Sequence, residues 1–239
     1  MSSCSPSVGG DASPPAPPVK PVVGVLALQG DFEAHERMLR PLGVATRQVR
    51  VPADLDGLDG LVLPGGESTT MTLGIEREGL AEPLRALAGH DGVGGIPMLG
   101  SCAGLIMLDR DHLGLMDMRA ERNAFGRQIS SFEADVHIDG IDGGPLHGVF
   151  IRAPWIAEHG PDVRILGEVD GHAVAARQGR LLAVAFHSEL THDDRLHRLF
   201  LELVRERLNA DGVPTHRSSA PTHRSASGAT PVGASGDTG

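Results

Sequence analysis

The chain has 239 residues, 40% of them hydrophobic, and 21 Lys and Arg against 31 Asp and Glu leave a net charge of −10. Nucleic acid as main partner would need clustered cations, which are missing, and no apolar run approaches the roughly 20 residues that span a bilayer. Two cysteines, Cys4 and Cys102, cannot build a disulfide framework, and the N-terminus lacks a signal-peptide pattern, so a cytosolic protein is expected.

Residues 1–20, rich in Ser, Pro, Gly and Ala, carry too little apolar surface to offset the entropy of ordering them, and a disordered tail is predicted. Val22-Val-Gly-Val-Leu-Ala-Leu28 reads as a strand buried on both faces. A helix is expected over 31–42, ended by Pro41. Gly60-Leu-Val-Leu63 and Ile96-Pro-Met-Leu99 are further buried strands, with one long helix over 69–87 between them. This alternation predicts an α/β domain, a doubly wound, mostly parallel sheet flanked by helices. The second half is strand-rich over 125–138, 149–152 and 163–187, with turns at Asp170-Gly171 and Gln178-Gly179. A last helix over 193–208 buries a stripe of Leu196, Leu199, Phe200, Leu203 and Val204. From Asn209 the composition returns to that of a tail, with a near-repeat starting at Pro214 and Pro221 that is too short for a solenoid. One domain over 21–208 between disordered tails, 1–20 and 209–239, is the expected organisation.

Gly100-Ser101-Cys102-Ala103-Gly104 follows a short strand and precedes a helical run. A nucleophile flanked by small residues at a strand-to-helix corner has the pattern of a nucleophile elbow, whose side chain projects from the carboxyl edge of the sheet. The helix N-terminus favours the thiolate form; the alternative is a small buried core thiol. A nucleophilic cysteine needs a base. His187 ends the apolar strand Leu181–Phe186, and Glu189, two residues on in an extended segment, points to the same side and can orient the imidazole. Taken alone, that pair could merely cap a strand. Pro64-Gly65-Gly66-Glu67-Ser68-Thr69-Thr70 follows another buried strand. Its paired glycines can take positive φ and present N–H groups to an oxyanion; a plain loop with a helix cap at Ser68 or Thr69 is the alternative. The segment lacks the spacing and lysine of a phosphate loop. No two histidines and a carboxylate occur at ligand spacing in the core, and a lone cysteine is a poor start, so no metal is expected, and no cofactor is implied.

Leu26-Ala-Leu-Gln-Gly30, Leu63-Pro-Gly-Gly-Glu-Ser-Thr-Thr-Met71, Gly100-Ser-Cys-Ala-Gly104, Glu121-Arg-Asn-Ala-Phe-Gly-Arg-Gln128, Phe150-Ile-Arg-Ala-Pro154 and Phe186-His-Ser-Glu-Leu190 occur in that order. Together, over residues 22–205, they closely resemble the glutaminase subunits of pyridoxal 5′-phosphate synthases, which are class I glutamine amidotransferases. The resemblance implies a flavodoxin-like fold and hydrolysis of L-glutamine to glutamate and ammonia. It implies Cys102, His187 and Glu189 as the catalytic triad, with a glutamyl thioester on Cys102. Gly66, Glu67, Ser68, Arg122, Ile151 and Arg152 match the glutamine-binding positions; Gly65, Gly66 and Ala103 would form the oxyanion hole. Gln29 matches a position at the contact with the synthase (lyase) subunit, which would receive the ammonia in an assembly of twelve glutaminase and twelve synthase subunits.

The chain departs from the family pattern at three places. Ser101 stands where threonine is usual and keeps the hydroxyl. Ser188 replaces a proline that would fix the backbone beside His187. The chain between Leu108 and His112 is several residues shorter than typical. Two other readings share the fold: a glutaminase serving another acceptor, such as imidazole glycerol phosphate synthase, and a non-catalytic regulatory subunit. The glycine-loop and Glu121–Gln128 segments oppose the first, and the intact triad opposes the second.

Overall fold

A computed structural model describes residues 20–90, 92–122 and 131–211. The expected tails, Cys4 and most of the Glu121–Gln128 motif therefore lie outside the described residues. In chain order the elements are β1 (Val22–Leu26), α1 (Phe32–Leu39), β2 (Ala45–Val49), β3 (Gly60–Leu63), α2 (Ser68–Arg77) and α3 (Ala81–Ala88). Next come β4 (Gly89–His90), β5 (Val93–Gly94), β6 (Met98–Ser101), α4 (Ala103–Leu108), β7 (Met118–Glu121), β8 (Ser131–Val136) and β9 (Leu146–Ile151). The chain continues through β10 (Trp155–His159), β11 (Arg164–Val169), β12 (His172–Gln178) and β13 (Leu181–Val184) to α5 (Arg195–Ala210).

The main sheet runs in the order β2-β1-β3-β6-β13-β12-β10-β7, with β11 paired to β12. The first five strands are mutually parallel, and the rest join antiparallel. This is the doubly wound α/β fold expected, with the strand-rich second half added at one side of the parallel core. The runs of β3, β6 and β13 are buried at every position, as strands covered on both faces must be. Successive side chains of a strand point to opposite faces. Accordingly a Cβ on Gly60 would meet Phe200 and Val204 of α5, whereas Leu63 lies against Gly104 of α4. Helices thus cover both sides.

Some expectations are corrected. The long helix over 69–87 is two helices, broken at Gly79, whose φ of +66° no helix interior allows. Helix α1 stops at Leu39, and Pro41 sits in a 3-10 turn, Arg40–Leu42. Strands β2, β7 and β10 lie in segments not read as strands; their burial is partial, so they lack a continuous apolar run. Helix α5 reaches Ala210, so Asn209 and Ala210 belong to it rather than to the tail. Strands β8 and β9 form a separate hairpin. Its Phe150 stacks on Phe132, ring centroids 4.5 Å apart, and tilts against Phe186 at 5.5 Å. Among the described residues no helix is long and apolar enough to cross a membrane.

Close backbone approach at the α4–β3 contact makes one substitution decisive. A Cβ on Gly104 would overlap the carbonyl oxygen of Leu63, which cannot swing aside as a side chain can. Gly104→Ala is expected to cost about 3 kcal/mol in urea unfolding, the upper end of overpacking effects. An unchanged midpoint would mean that α4 does not sit this close to β3.

Candidate active site

Loops that follow four neighbouring parallel strands, β1, β3, β6 and β13, meet at their carboxyl ends. This is where open α/β sheets place their sites. After β6 the chain turns into α4 within a single residue. Cys102 is that residue, at φ 48° and ψ −103°, a conformation that costs a non-glycine residue about 1–3 kcal/mol. The expected elbow is therefore present. Its backbone N–H donates to Val184 O at 2.8 Å, and its Sγ lies 3.9 Å from Ile151 O. Small neighbours are required: a Cβ on Gly100 would come within 2.5 Å of Gly104 O.

After β13, Phe186 is buried and His187 is locked to the hairpin, its N–H donating to Val149 O at 2.8 Å. His187 Nδ1 lies 2.7 Å from Glu189 Oε1, both side chains buried. The expected contact is made, though not by an extended segment: Ser188–Leu190 is a 3-10 turn, which folds Glu189 back onto the ring. Burial disfavours the charged imidazole, but hydrogen bonds with Cys102 and Glu189 outweigh it and push His187 up to about 10. Burial likewise opposes the Glu189 carboxylate, yet the neighbouring His35 and His187 hold it well below the usual carboxylate range.

The loop after β3 approaches from the other side. A Cβ on Gly65 would run into the His187 ring, so the glycine there makes room for the imidazole. Only Gly66 of the expected pair has positive φ, +139°. Glu67, rather than Ser68 or Thr69, caps α2: its carboxylate accepts from Thr69 N at 3.0 Å, Thr70 N at 2.6 Å and Thr70 Oγ1 at 2.7 Å. The hydrogen bonds from Thr70, then Thr69, lower its pKa to about 2. Gln29 Oε1 accepts from Glu67 N at 3.0 Å, so the residue expected at a partner contact also braces this loop.

These parts surround a cavity of about 360 Å³. Gly66, Glu67, Ser68, Cys102, Ala103, Arg122, Ile151, Arg152 and His187 line it, whereas Gly65, Gln29 and Glu189 stand behind the lining. Arg122 Nη1 lies 3.4 Å from Ser68 Oγ, and Arg152 adopts a positive φ of 45°. Asp31, Ile106 and Pro154 complete the wall and were not foreseen. Asp31 also brings a carboxylate within 4.8 Å of ligand atoms of His187 and Glu189, the sort of grouping that can hold a metal ion. Sequence spacing conceals it because Asp31 arrives from the loop after β1. A metal there would have to compete with the 2.7 Å bond between His187 and Glu189.

The two shifts set a pH window. His187, raised from 6.5, contributes stability that is full below that value and is lost as pH climbs through about 10. Glu189, depressed from 4.5, contributes above that value and loses its contribution in acid. The unfolding free-energy difference between wild type and His187→Gln should be largest near pH ~6 and shrink as pH is raised toward 10. A difference independent of pH over that range would contradict the protonated imidazole.

A family model, the SNO glutamine amidotransferase family, matches residues 25–206. A protein of Frankia alni named pyridoxal 5′-phosphate synthase subunit PdxT is 50% identical over 194 residues, covering 77% of this chain and 96% of that one. Its namesake in Mycolicibacterium vanbaalenii is 50% identical over 193 residues, covering 76% and 96%. A crystal structure described as a glutamine amidotransferase superposes with a TM-score of 0.71 at 43% identity, covering 77% of this chain and 98% of that one. PurLQS from Thermotoga maritima, at 17% identity and a TM-score of 0.58 over 79% of this chain and 99% of that one, shares the fold. The chain belongs to the SNO glutamine amidotransferase family.

Proposed function

We propose that this chain is the glutaminase subunit of a pyridoxal 5′-phosphate synthase, that it releases ammonia from L-glutamine, and that Cys102, His187 and Glu189 carry the reaction. The observation that carries this reading is the cavity itself. Asp31 lines it together with Arg122 and Arg152, so residues of both signs of charge line the space in front of Cys102. A free α-amino acid carries an ammonium and a carboxylate at one end and so suits both poles. Arginine pairs with a carboxylate in a bidentate way.

With the amino-acid end so held, the side-chain amide reaches Cys102. Its sulfur attacks the amide carbon, and a C–S bond forms as the carbonyl oxygen gains the electron pair. N–H groups of Gly66 and Ala103, which line the cavity, receive that oxyanion, with Gly65 of the expected set standing behind them; as the first residue of α4, Ala103 has no intrahelical partner for its N–H. His187 passes its proton to the nitrogen, the C–N bond breaks, and ammonia leaves a glutamyl thioester. A water molecule then attacks the thioester with His187 as base, the C–S bond breaks, and glutamate departs. Glu189 keeps the His187 Nδ1 proton facing itself and so leaves Nε2 for this traffic.

Residues 21–210 are taken as the glutaminase unit, with α5 closing it at Ala210, and the segments outside it as tails. Ammonia passes to the synthase subunit, which Gln29 contacts, in a complex of twelve and twelve. The relatives' shared name as a synthase subunit supports the partnership.

The test is release of ammonia and glutamate from L-glutamine, with and without the cognate synthase subunit. Wild type should release both, faster when the synthase is added, and Cys102→Ala should fall to background in either condition. Release that persists in Cys102→Ala would remove the nucleophile from the reading. Release that ignores the synthase would remove the partner.

A further inference from the structure

Two histidines stand behind Glu189 with no part in the steps above. His35 on α1 and His197 on α5 are both 0% exposed. His35 Nε2 lies 3.0 Å from Ser101 Oγ and 3.4 Å from Glu189 Oε2, an oxygen with no hydrogen-bond partner among the described residues. On its other side His35 Nδ1 lies 3.0 Å from His197 Nε2. His197 Nδ1 is buried and has no hydrogen-bond partner among the described residues.

Geometry assigns the protons. Burial pulls the pKa of His197 down, so its ring is neutral with a single N–H. A proton on His197 Nδ1 would be a buried donor with no acceptor among the described residues, so the proton sits on Nε2 and is donated to His35 Nδ1. The Glu189 carboxylate beside His35 Nε2 favours a proton there over a lone pair, so His35 presents Nε2–H to the Ser101 hydroxyl and faces the carboxylate with it. The direction of donation runs from α5 through α1 into the site.

Both ends of the reacting pair are touched. Ser101 immediately precedes Cys102, and Glu189 accepts from His187 through its first oxygen. We infer that His35, in the tautomer that His197 imposes, is a positioning residue: its Nε2–H bonds the hydroxyl beside the nucleophile and faces the second oxygen of Glu189 at 3.4 Å, and so aims His187 at Cys102. A carboxylate hydrogen-bonded at one oxygen can rotate, whereas one that also faces a fixed N–H at the other keeps its plane and with it the plane of the imidazole. The inference rests on the glutaminase reading.

The experiment uses the full chain in complex with its synthase and follows ammonia release from L-glutamine for wild type, Cys102→Ala, His35→Phe, His35→Gln, His35→Asn and His197→Phe. Thermal unfolding of each variant gives its folded fraction. His35→Phe should lower kcat by about 10- to 100-fold with KM little changed, the scale on which small misplacement of reacting groups acts. The amide nitrogen of Gln falls near the lost Nε2, so His35→Gln should recover most of that rate. The amide nitrogen of Asn falls near Nδ1, so His35→Asn should not. His197→Phe should lie between His35→Gln and His35→Phe. Wild-type kcat in folded His35→Phe, equal rates in the Gln and Asn variants, or a loss that merely follows the folded fraction would each overturn the inference. If His35→Phe does not fold, the Gln and Asn pair decides. Wild-type release that does not depend on Cys102 would instead overturn the glutaminase reading, and this inference with it.

Discussion

The backbone conformation of Cys102 is the constraint around which the structure is arranged. A non-glycine residue at φ 48° is held there only if its surroundings leave no alternative. Val184 O on β13 captures the Cys102 N–H, and α4 begins at once with Ala103. The helix can start so close to the sheet only because Gly104 has no Cβ to meet Leu63 O. Residues 100 and 104 are therefore glycine for steric reasons. Because β3, β6 and β13 are parallel neighbours, the corner at Cys102 has the glycine loop on one side and His187 on the other. Parallel order thus does for the site what no single loop could do.

The same crowding explains why charge collects in the interior. His187 and Glu189 are each about 5% exposed, and a buried ion pair is favourable only where its remaining polar atoms find partners. Here Glu189 has His187 on one oxygen and His35 near the other, and His187 has Glu189 and Cys102. Removing one member leaves an uncompensated charge in a dry place, so the cluster is bound together energetically as well as geometrically. Its members come from α1, β6, the turn after β13 and α5, and the cluster links the two ends of the folded region.

What the sequence shows of this is what is local. The apolar runs of β1, β3, β6 and β13 are continuous because both faces are covered, and the elbow and the glycine loop follow two of them directly. His187 and Glu189 stand two residues apart, though the turn that joins them is 3-10 and not extended. Asp31, His35 and His197 are different. His35 meets Ser101 across 66 residues and His197 across 162, so no short-range spacing pairs them. Their local sign is that each stands where its helix's apolar face expects a hydrophobic residue, His35 with Leu39 and His197 with Leu201. The half-buried strands β2, β7 and β10 escape notice because partial burial leaves their patterns interrupted.

The β8–β9 hairpin shows how one wall of the cavity is carried independently of the sheet. It pairs with no strand of the main sheet, yet His187 N–H donates to Val149 O, and Phe150 packs between Phe132 and Phe186. Those contacts fix β9 beside the His187 imidazole and leave the following residues to shape the cavity. Ile151 then turns its carbonyl toward Cys102, and Arg152, at a φ of 45°, faces the same space. Glu67 works from the opposite wall under the same logic: its carboxylate is spent on the first turn of α2, which holds the glycine loop still while leaving the residue at the cavity's edge. In both walls a hydrogen bond that a purely structural account would assign to capping or pairing also sets the position of a group facing Cys102. Rigidity of the scaffold and geometry of the cavity are here supplied by the same atoms, so what steadies the walls also sets the shape of the space in front of Cys102.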